Sequence, residues 1–328
     1  MKMRDFMQRH FLHFNARETR EAAQAWVDHL DGGGRMFVTV AGAMSTAELG
    51  ISLAEMIRRD KVHGICCTGA NLEEDIFNLV AHDEYKVIPR YRDLTPEEEV
   101  ALYRKGMNRV TDTCIPETVM RDIDHRVREI WQQAEKDGVQ RSPWEFMCDL
   151  VRDDALRDHY QVPGDNSWVL AAQKKGIPVF VPGWEDSTLG NVFTSYVMLG
   201  RLTRYDTVKT GLEQMQELAG WYEAQMAAGH SLGFFQIGGG IAGDFPICVV
   251  PMLVQDLKRR ETPFWGYFCQ IGDSVTSYGS YSGAVPNEKI TWGKLDRDAP
   301  RSGDGLCRAW RCALGTGQHG RCSACSRA

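Results

Sequence analysis

The 328-residue chain lacks the features that mark several large classes of protein. It has no excess of basic residues, because 38 Lys and Arg face 44 Asp and Glu for a formal net charge of −6. Nucleic-acid phosphates call for clustered Lys and Arg. The longest apolar run, residues 245–254, contains Pro246 and Pro251 and is too short to cross a bilayer. We therefore expect neither nucleic acid nor a membrane among its partners.

Signals for secretion and disorder are also missing. Residues 1–10 are charged throughout and contain no apolar stretch of a signal peptide. A hydrophobic content of 43% is enough for a buried core. The chain has ten cysteines, and four of them lie in apolar segments, where free thiols pack as small hydrophobes: Cys66, Cys67, Cys248 and Cys269. These features predict a soluble, cytoplasmic protein that acts on a small molecule or a protein.

Short apolar runs alternate with Gly-containing turns and helical patterns along the chain. This alternation is typical of a parallel α/β sheet. Most of the runs lack polar alternation, as expected for strands that are covered on both faces. The predicted strands are residues 36–40, 62–68, 177–181, 232–237 and 265–271.

Two helix starts are specified between the second and third of these strands. Thr95-Pro96-Glu97-Glu98 and Ser142-Pro143-Trp144-Glu145 each place a hydroxyl at the N-cap, a proline at the first helical position and a Glu at the third. Residues 116–160 are charged and helical in pattern, which predicts a helical insertion in the middle of the fold. We expect residues 1–300 to form a single domain.

Candidate ligand-binding loops follow four of the predicted strands, where an open parallel sheet binds its ligands. Residues 41–46 are small and are expected to open a helix whose N–H groups suit a phosphate. Residues 68–75 and 182–191 carry acids, and residues 238–240 are three glycines. Alternatively, the acids Glu73, Glu74 and Asp75 merely complement a helix dipole, and the glycines form only a tight turn, since the GxGxxG fingerprint is absent. The four loops together favour a dinucleotide and a cationic substrate.

A lysine near the end of the predicted sheet is a candidate nucleophile. Lys294 follows Trp292-Gly293, and a partly desolvated lysine amine forms imines readily. On composition alone, an ordinary surface lysine beside a core tryptophan is the alternative. The run Ser282-Gly283-Ala284-x-Pro286-x-Glu288-x-x-x-Trp292-Gly293-Lys294 resembles the signature of the deoxyhypusine synthase family. The similarity includes the acidic turn, the Glu185-Asp186 loop and the three glycines, and spans roughly residues 35–296.

The resemblance implies a Rossmann-like fold, tightly held NAD and a homotetramer with active sites between subunits. Family members oxidise a polyamine by hydride transfer to NAD and capture its aminobutyl part as an imine on the lysine. They then pass it to an acceptor amine, where NADH reduces it. By resemblance, Lys294 is the catalytic lysine, and the amine substrate is held by Glu73, Glu74, Asn191, Tyr281, Glu288 and Trp292. The positions that match the family's NAD contacts are Gly42, Ala43, Met44, Ser45, Thr46, Thr68, Gly69, Ala70, Glu74, Asp186, Gly238, Gly239, Gly240, Asp273 and Ser274.

This chain departs from the family at positions that concern the substrate. Phe245, preceded by Asp244, falls where the family has a histidine proposed as general base, which leaves Asp244, Tyr278 and Tyr281 as candidates. Asn191 and Tyr281 replace acids that grip the far end of spermidine, yet both can hydrogen-bond a guanidinium or a shorter amine. We expect aminobutyl transfer between small amines such as putrescine, spermidine or agmatine. The alternatives are modification of a protein lysine on the hypusine-bearing translation factor, and NAD binding without catalysis.

The composition changes after Pro300. Residues 301–328 contain no Ile, Val, Phe, Tyr, Lys or Glu, which predicts an irregular tail. The family ends in an Asp-Ala NAD contact, and Cys307-Arg308 fall at about that point, so this end is either divergent or read in a shifted frame. The tail also contains four cysteines and a histidine that could form a zinc site: Cys307, Cys312, His319, Cys322 and Cys325. Of these, Cys322 and Cys325 have the spacing of zinc ligands. The flanks offer no fold to orient such ligands, so we predict no metal.

Overall fold

A parallel sheet lies at the centre of the computed structural model, which describes residues 2–272, 274–277 and 279–299. The strands are β1 (Arg35–Val40), β2 (Gly64–Cys67), β3 (Lys86–Val87), β4 (Met107–Val110), β5 (Thr113–Pro116), β6 (Val179–Phe180), β7 (Leu232–Ile237) and β8 (Tyr267–Ile271). Five of them form the central sheet in the order β6-β2-β1-β7-β8, with every neighbouring pair parallel. All five predicted strands are confirmed.

The strand order determines where a ligand can bind. Counted along the chain, the strands of the central sheet follow the order 3-2-1-4-5, which is the Rossmann arrangement. The winding direction reverses between β1 and β7, and the crevice at such a point is the usual ligand site. The predicted fold class, an α/β fold with a Rossmann-like parallel sheet, is therefore confirmed.

Helices cover the sheet and occupy the middle of the chain. They are α1 (Met3–His10), α2 (Phe14–Asp31), α3 (Leu49–Arg58), α4 (Gly69–Ala81), α5 (Pro96–Arg104), α6 (Glu117–Lys136), α7 (Pro143–Arg152), α8 (Asp154–Arg157), α9 (Trp168–Lys175), α10 (Thr188–Met198), α11 (Gly211–Ala227), α12 (Ile241–Ile247), α13 (Val249–Pro251) and α14 (Glu288–Thr291). Helices α5 and α7 begin where predicted, with complete capping boxes at Thr95 and Ser142. Within the residues that the structure describes, no helix is long and apolar enough to cross a membrane.

The predicted helical insertion is confirmed by α6, α7 and α8, but it is preceded by a small sheet that the sequence pattern did not indicate. Strands β3, β5 and β4 pair antiparallel in that order. They contain only two to four residues each, and strands this short leave little periodicity to detect. The extent of the predicted single domain, residues 1–300, stays a prediction.

Alternating side chains of the strands divide the core into two layers. On β1, Val38 packs toward one face of the sheet while Phe37 packs toward the other, because successive strand residues point in opposite directions. We call the side that carries α2, α3, α4, α6, α7, α9 and α10 the first face. The side that carries α11, α12, α13 and α14 is the second face. The candidate site residues divide between these two faces.

Candidate active site

Three of the predicted NAD-binding loops meet at the carboxyl edge of the sheet. They follow β2, β1 and β7, which are neighbours. The Thr68 hydroxyl donates a hydrogen bond to the Gly42 carbonyl at 2.7 Å. A Cβ atom at Gly238 would lie 2.9 Å from that of Ala41. The loops at 42–46, 68–70 and 238–240 are thus in contact at the point where the winding of the sheet reverses.

The loop after β1 differs from its prediction, because it does not open a helix. Helix α3 begins only at Leu49, after Glu48 in a left-handed conformation. The polar groups of the loop bond to α4 instead. The Ser45 N–H and hydroxyl donate to the side chain and carbonyl of Asn71 at 2.9 and 2.7 Å, and the Thr46 hydroxyl donates to Glu74 at 2.6 Å. The expectation of helical N–H groups for a phosphate within residues 41–46 is therefore wrong.

The loop backbone nevertheless fits the pyrophosphate of a dinucleotide. Gly42 and Gly240 have φ angles of +65° and +63°, which favour glycine, and no atom lies within 4 Å of where a Cβ would stand at either residue. A ligand can approach the chain closely there. Asp186 is exposed in the turn after β6, and Ser274 follows β8. Asp273 and Tyr278 lie outside the described residues, as does the tail from residue 300 onward, including the candidate zinc ligands.

The acidic cluster, which we define as Glu73, Glu74 and Asp75, lies in the second turn of α4. All three residues are buried, with exposed fractions of 3%, 7% and 5% respectively. Glu73 accepts hydrogen bonds from the N–H groups of Thr188 and Leu189, both at 2.9 Å, at the start of α10. Asp75 accepts from the Val169 N–H at 3.2 Å, at the start of α9, and from the Ser167 hydroxyl. Glu73 and Asp75 therefore stabilise the starts of other helices, while Glu74 bonds to Thr46 in the loop after β1. No acid lies in the first turn of α4, so the alternative that the cluster complements the dipole of this helix is wrong.

Burial raises the pKa values of all three carboxyl groups. The pKa of Glu73 rises to about 7 and that of Asp75 to about 6, while the pKa of Glu74 is raised as well. Desolvation is the largest cause, and the hydrogen bonds to each carboxylate oppose it. Glu73 is consequently a mixture of protonated and ionised forms near neutral pH. Its role in holding a substrate stays a prediction.

Asn191 supports the loop that carries Asp186. Its side-chain amide nitrogen donates to the carbonyls of Glu185 and Ser187 at 3.1 and 2.6 Å. Because this nitrogen bridges two loop carbonyls, it orders residues 185–187 before any ligand binds. Asn191 lies on α10, and with the acidic cluster it belongs to the first face of the sheet.

The lysine cavity lies on the second face and has a volume of about 540 Å³. Lys294 is only 8% exposed. Its Nζ lies 3.3 Å from Oδ1 of Asp244 and 5.6 Å from the ring centres of both Tyr281 and Trp292. Trp292 is 60% exposed, so the alternative of a surface lysine beside a core tryptophan is wrong. The remaining residues of the cavity wall are Met215, Cys248, Pro251, Met252, Gln255, Asp256, Ala284, Glu288 and Lys289.

Two of these cavity residues were not expected at the site from the sequence. Lys289 is 2% exposed, and its Nζ lies 4.8 and 4.9 Å from the ring centres of Phe268 and Tyr281. Cys248 is a free thiol that packs against the core but is only half-buried, and it donates to Asp244 at 3.6 Å. Its assignment as a buried thiol is therefore confirmed only in part, whereas Cys66, Cys67 and Cys269 are fully buried. The spacing of four residues between Asp244 and Cys248 was the available signal, because it places both on one helix face.

Tyr281 connects the cavity to the strands beneath it. Its hydroxyl donates to Oε1 of Gln236 at 2.8 Å, and burial raises its pKa far above the ordinary value. A phenol that resists ionisation is a poor general base. The next residue, Ser282, lies directly against Gly239, where a Cβ atom would overlap it. The three glycines therefore do more than form a tight turn, because the run that ends in Lys294 packs directly against their backbone at Gly239.

The predicted substrate residues thus form two groups. Tyr281, Glu288 and Trp292 share the lysine cavity with Lys294 on the second face. Glu73, Glu74 and Asn191 belong to elements that pack on the first face. Among the described residues, the lysine cavity is lined by the first of these groups and not by the second.

The family model described as deoxyhypusine synthase matches residues 4–302. The chain belongs to the deoxyhypusine synthase family. A deoxyhypusine synthase-like protein from Nostoc sp. is 28% identical over 90% of this chain and 74% of its own length. A "probable deoxyhypusine synthase 2" from Archaeoglobus fulgidus is 25% identical over 88% of both chains. The family is one of transferases, and the lysine cavity carries its lysine motif.

A solved structure assigned as a deoxyhypusine synthase from Entamoeba histolytica resembles the fold more distantly. It is 15% identical, with a TM-score of 0.42 over 63% of this chain and 58% of that one. The chain thus spans less than two thirds of that structure.

Proposed function

We propose that this protein is an NAD-dependent aminobutyl transferase that acts between small amines, with Lys294 as the nucleophile. The observation that carries this proposal is the position of Lys294, a buried amine that faces a cavity and contacts a carboxylate. An amine in that setting has the access and the confined surroundings that imine formation needs. Membership of the deoxyhypusine synthase family supports the same reaction.

The covalent step follows from the lysine and its cavity. The neutral amine of Lys294 attacks the iminium carbon of the oxidised donor, so that a bond to Nζ forms, the bond to the departing amine breaks, and that amine leaves with the proton from Nζ. The acceptor amine then attacks the same carbon and releases Lys294. The rings of Trp292 and Tyr281, each centred 5.6 Å from Nζ of Lys294, form apolar walls for the alkyl chain.

NAD fits the carboxyl edge of this sheet, where Gly42 and Gly240 leave the backbone open to a pyrophosphate. When bound, it would accept the hydride removed from the donor amine and would return that hydride to the imine formed with the acceptor amine, which gives the secondary amine. Thr68 and Asn191 hold the two loops that surround this crevice. The side chains of Glu288 and Asp256 carry negative charge on the wall of the lysine cavity, where they favour a cationic amine.

The test is to incubate the purified protein with NAD and putrescine, spermidine or agmatine, and to identify the products by mass spectrometry. New secondary amines are expected, and they should vanish in Lys294→Ala. Lys175→Ala is the matched control, because Lys175 pairs with Asp60 away from the cavity and its loss should leave the products unchanged. Products from Lys294→Ala at the wild-type rate would contradict the proposal.

Two other results would replace this proposal with an alternative. If small amines remain unchanged until the hypusine-bearing translation factor is added, and its lysine gains the aminobutyl group, the acceptor is a protein. If NAD binds and no amine is converted under either condition, the protein binds NAD without catalysis. Mass spectrometry of the amines and of the added protein distinguishes these results.

A homotetramer in which subunits complete one another's active sites is the second part of the proposal. The two groups of predicted substrate residues belong to elements on opposite faces of the sheet, and a second copy of the chain would combine them. Exposed apolar side chains on elements around the lysine cavity support such an interface: Leu212 at 85%, Trp292 at 60% and Ile241 at 50%. Light scattering should give four times the chain mass, and Leu212→Glu should lower it. A monomer at micromolar concentration would contradict this part.

A further inference from the structure

Asp244 occupies an unusual position for a carboxylate on a catalytic lysine. Its Oδ1 lies 3.3 Å from Nζ of Lys294, and the exposed fractions of the two side chains differ, at 48% for Asp244 and 10% for Lys294. The carboxylate therefore contacts the buried nitrogen on one side and solvent on the other. Phe245, the next residue in α12, has no group that exchanges a proton.

The electrostatic consequence is specific to the reacting nitrogen. A carboxylate within 4 Å favours the charged form of a neighbouring nitrogen, and the effect grows as solvent is excluded. The nitrogen of Lys294 is positive both as an ammonium ion and as a protonated imine. A protonated imine is also the form that an incoming amine attacks, because its carbon is the more electrophilic.

We propose that Asp244 is the counter-ion of the Lys294 nitrogen, which keeps the lysine imine protonated and passes protons between that nitrogen and solvent. This inference rests on the proposed function, because it requires Lys294 to form an imine. It assigns Asp244 a role in the chemical step, and it provides a carboxylate at the start of α12 where proton transfer is needed.

Other charged and titratable groups line the same cavity. Cys248, one helical turn after Asp244, has its pKa raised by burial, so it stays a neutral thiol. The phenol of Tyr281 likewise stays neutral. Lys289 adds positive charge to the cavity wall, while Glu288 and Asp256 add negative charge to it. Among the described residues that line this cavity, Asp244 is the carboxylate that contacts Nζ of Lys294.

The experiment measures imine formation without NAD or any amine substrate. Wild-type protein is mixed with butanal and cyanoborohydride, which reduces a protonated imine to a stable adduct, and the adduct on Lys294 is quantified by peptide mass spectrometry from pH 6 to 10. Adduct formation needs a neutral lysine at first and a protonated imine afterwards, so its rate should pass through a maximum. In Asp244→Asn, both limbs of this profile should move to lower pH by about one unit.

Two further variants separate this effect from a loss of structure. Asp244→Glu retains the carboxylate and should move the profile back toward that of the wild type. Asp60→Asn removes a different aspartate from a lysine ion pair and should leave the profile unchanged. Superimposable profiles for wild type and Asp244→Asn would overturn the inference while leaving the proposed function intact. The absence of any Lys294 adduct in the wild type would instead overturn the proposed function.

Discussion

The acidic cluster and the lysine cavity both contain ionisable side chains that are largely buried, but they use their charge in opposite ways. The carboxylates of Glu73 and Asp75 accept hydrogen bonds from N–H groups at the starts of α10 and α9. In the lysine cavity, Lys294 and Asp244 contact each other, and both line a space large enough for a small amine. Burial of an ionisable group therefore does not by itself indicate chemistry.

The two places differ in the hydrogen-bond partners of their buried charged groups. A carboxylate whose oxygens are occupied by backbone donors is part of the fold, and its removal leaves those donors unpaired. An amine that faces a cavity can be removed with less damage to the fold, and its removal affects catalysis. Activity and stability should therefore respond in opposite order at the two places, and substitutions can test this.

The largest expected effect is that of Lys294→Ala on turnover. Loss of the nucleophile should lower product formation by about 10³-fold or more, while the free energy of unfolding in urea changes by less than about 1 kcal/mol. Turnover by mass spectrometry and urea denaturation are the two measurements. A variant that unfolds at a much lower urea concentration and retains its turnover would reverse the comparison.

Glu73→Ala should lower stability more than Lys294→Ala does. The N–H groups of Thr188 and Leu189 lose their acceptor, which should lower the free energy of unfolding by about 2 kcal/mol. Urea denaturation at pH 5 measures this loss. A stability equal to that of the wild type would show that the acidic cluster does not support α10.

Glu73→Gln tests the burial of the Glu73 carboxyl group through the pH dependence of the free energy of unfolding. The pKa of Glu73 in the folded protein, about 7, lies above its ordinary value of 4.5. The stability that follows from this raised pKa is present below pH 4.5 and is lost as the pH rises through 7. The wild type should therefore lose up to about 3 kcal/mol relative to Glu73→Gln between pH 4.5 and 8. Parallel curves for the two proteins would contradict the burial of this carboxyl group.

Gly239→Ala tests the contact between the three glycines and the lysine motif. A Cβ atom at this residue would overlap Ser282, and relief of such a clash should cost about 1 to 3 kcal/mol. Affinity for NAD, measured by calorimetry, should fall together with stability. In the double variant with Ser282→Gly, much of the loss should be recovered, and additive losses would contradict the contact.

The smallest effect is expected from Tyr281→Phe. The variant loses the hydrogen bond to Gln236 but keeps the ring that lies near the amines of Lys294 and Lys289. The free energy of unfolding should fall by about 1 kcal/mol, and turnover should change by less than about tenfold. A loss of turnover as large as that of Lys294→Ala would show that the hydroxyl takes part in the chemistry.

Much of this architecture was predictable from local pattern. Apolar runs such as residues 232–237 are typical of buried strands, and Thr95 and Ser142 specify helix starts through their own side chains. The antiparallel strands β3, β4 and β5 were not predictable, because two to four residues carry too little pattern. The delayed start of α3 was missed for a different reason, since it depends on hydrogen bonds to Asn71, far away in the sequence.

The site was predictable in its motifs and less so in its geometry. The run that ends in Lys294 singled out the proposed nucleophile, and Asp244 was among the candidates for proton transfer. No pattern in the sequence could show that Asp244 contacts Lys294, because the two residues are joined by packing across 50 positions. For the same reason, the sequence could not show that Glu73 and Lys294 belong to elements on different faces of the sheet.

The most direct test of this account is to find the residue that carries the imine. The protein is incubated with NAD and a donor amine that it converts, cyanoborohydride is added during turnover, and the modified peptide is sequenced by mass spectrometry. The account predicts an aminobutyl adduct on Lys294 and an unmodified Lys289, although both amines lie in the same cavity. Product formation with the adduct on Lys289, or with no adduct on either lysine, would contradict it.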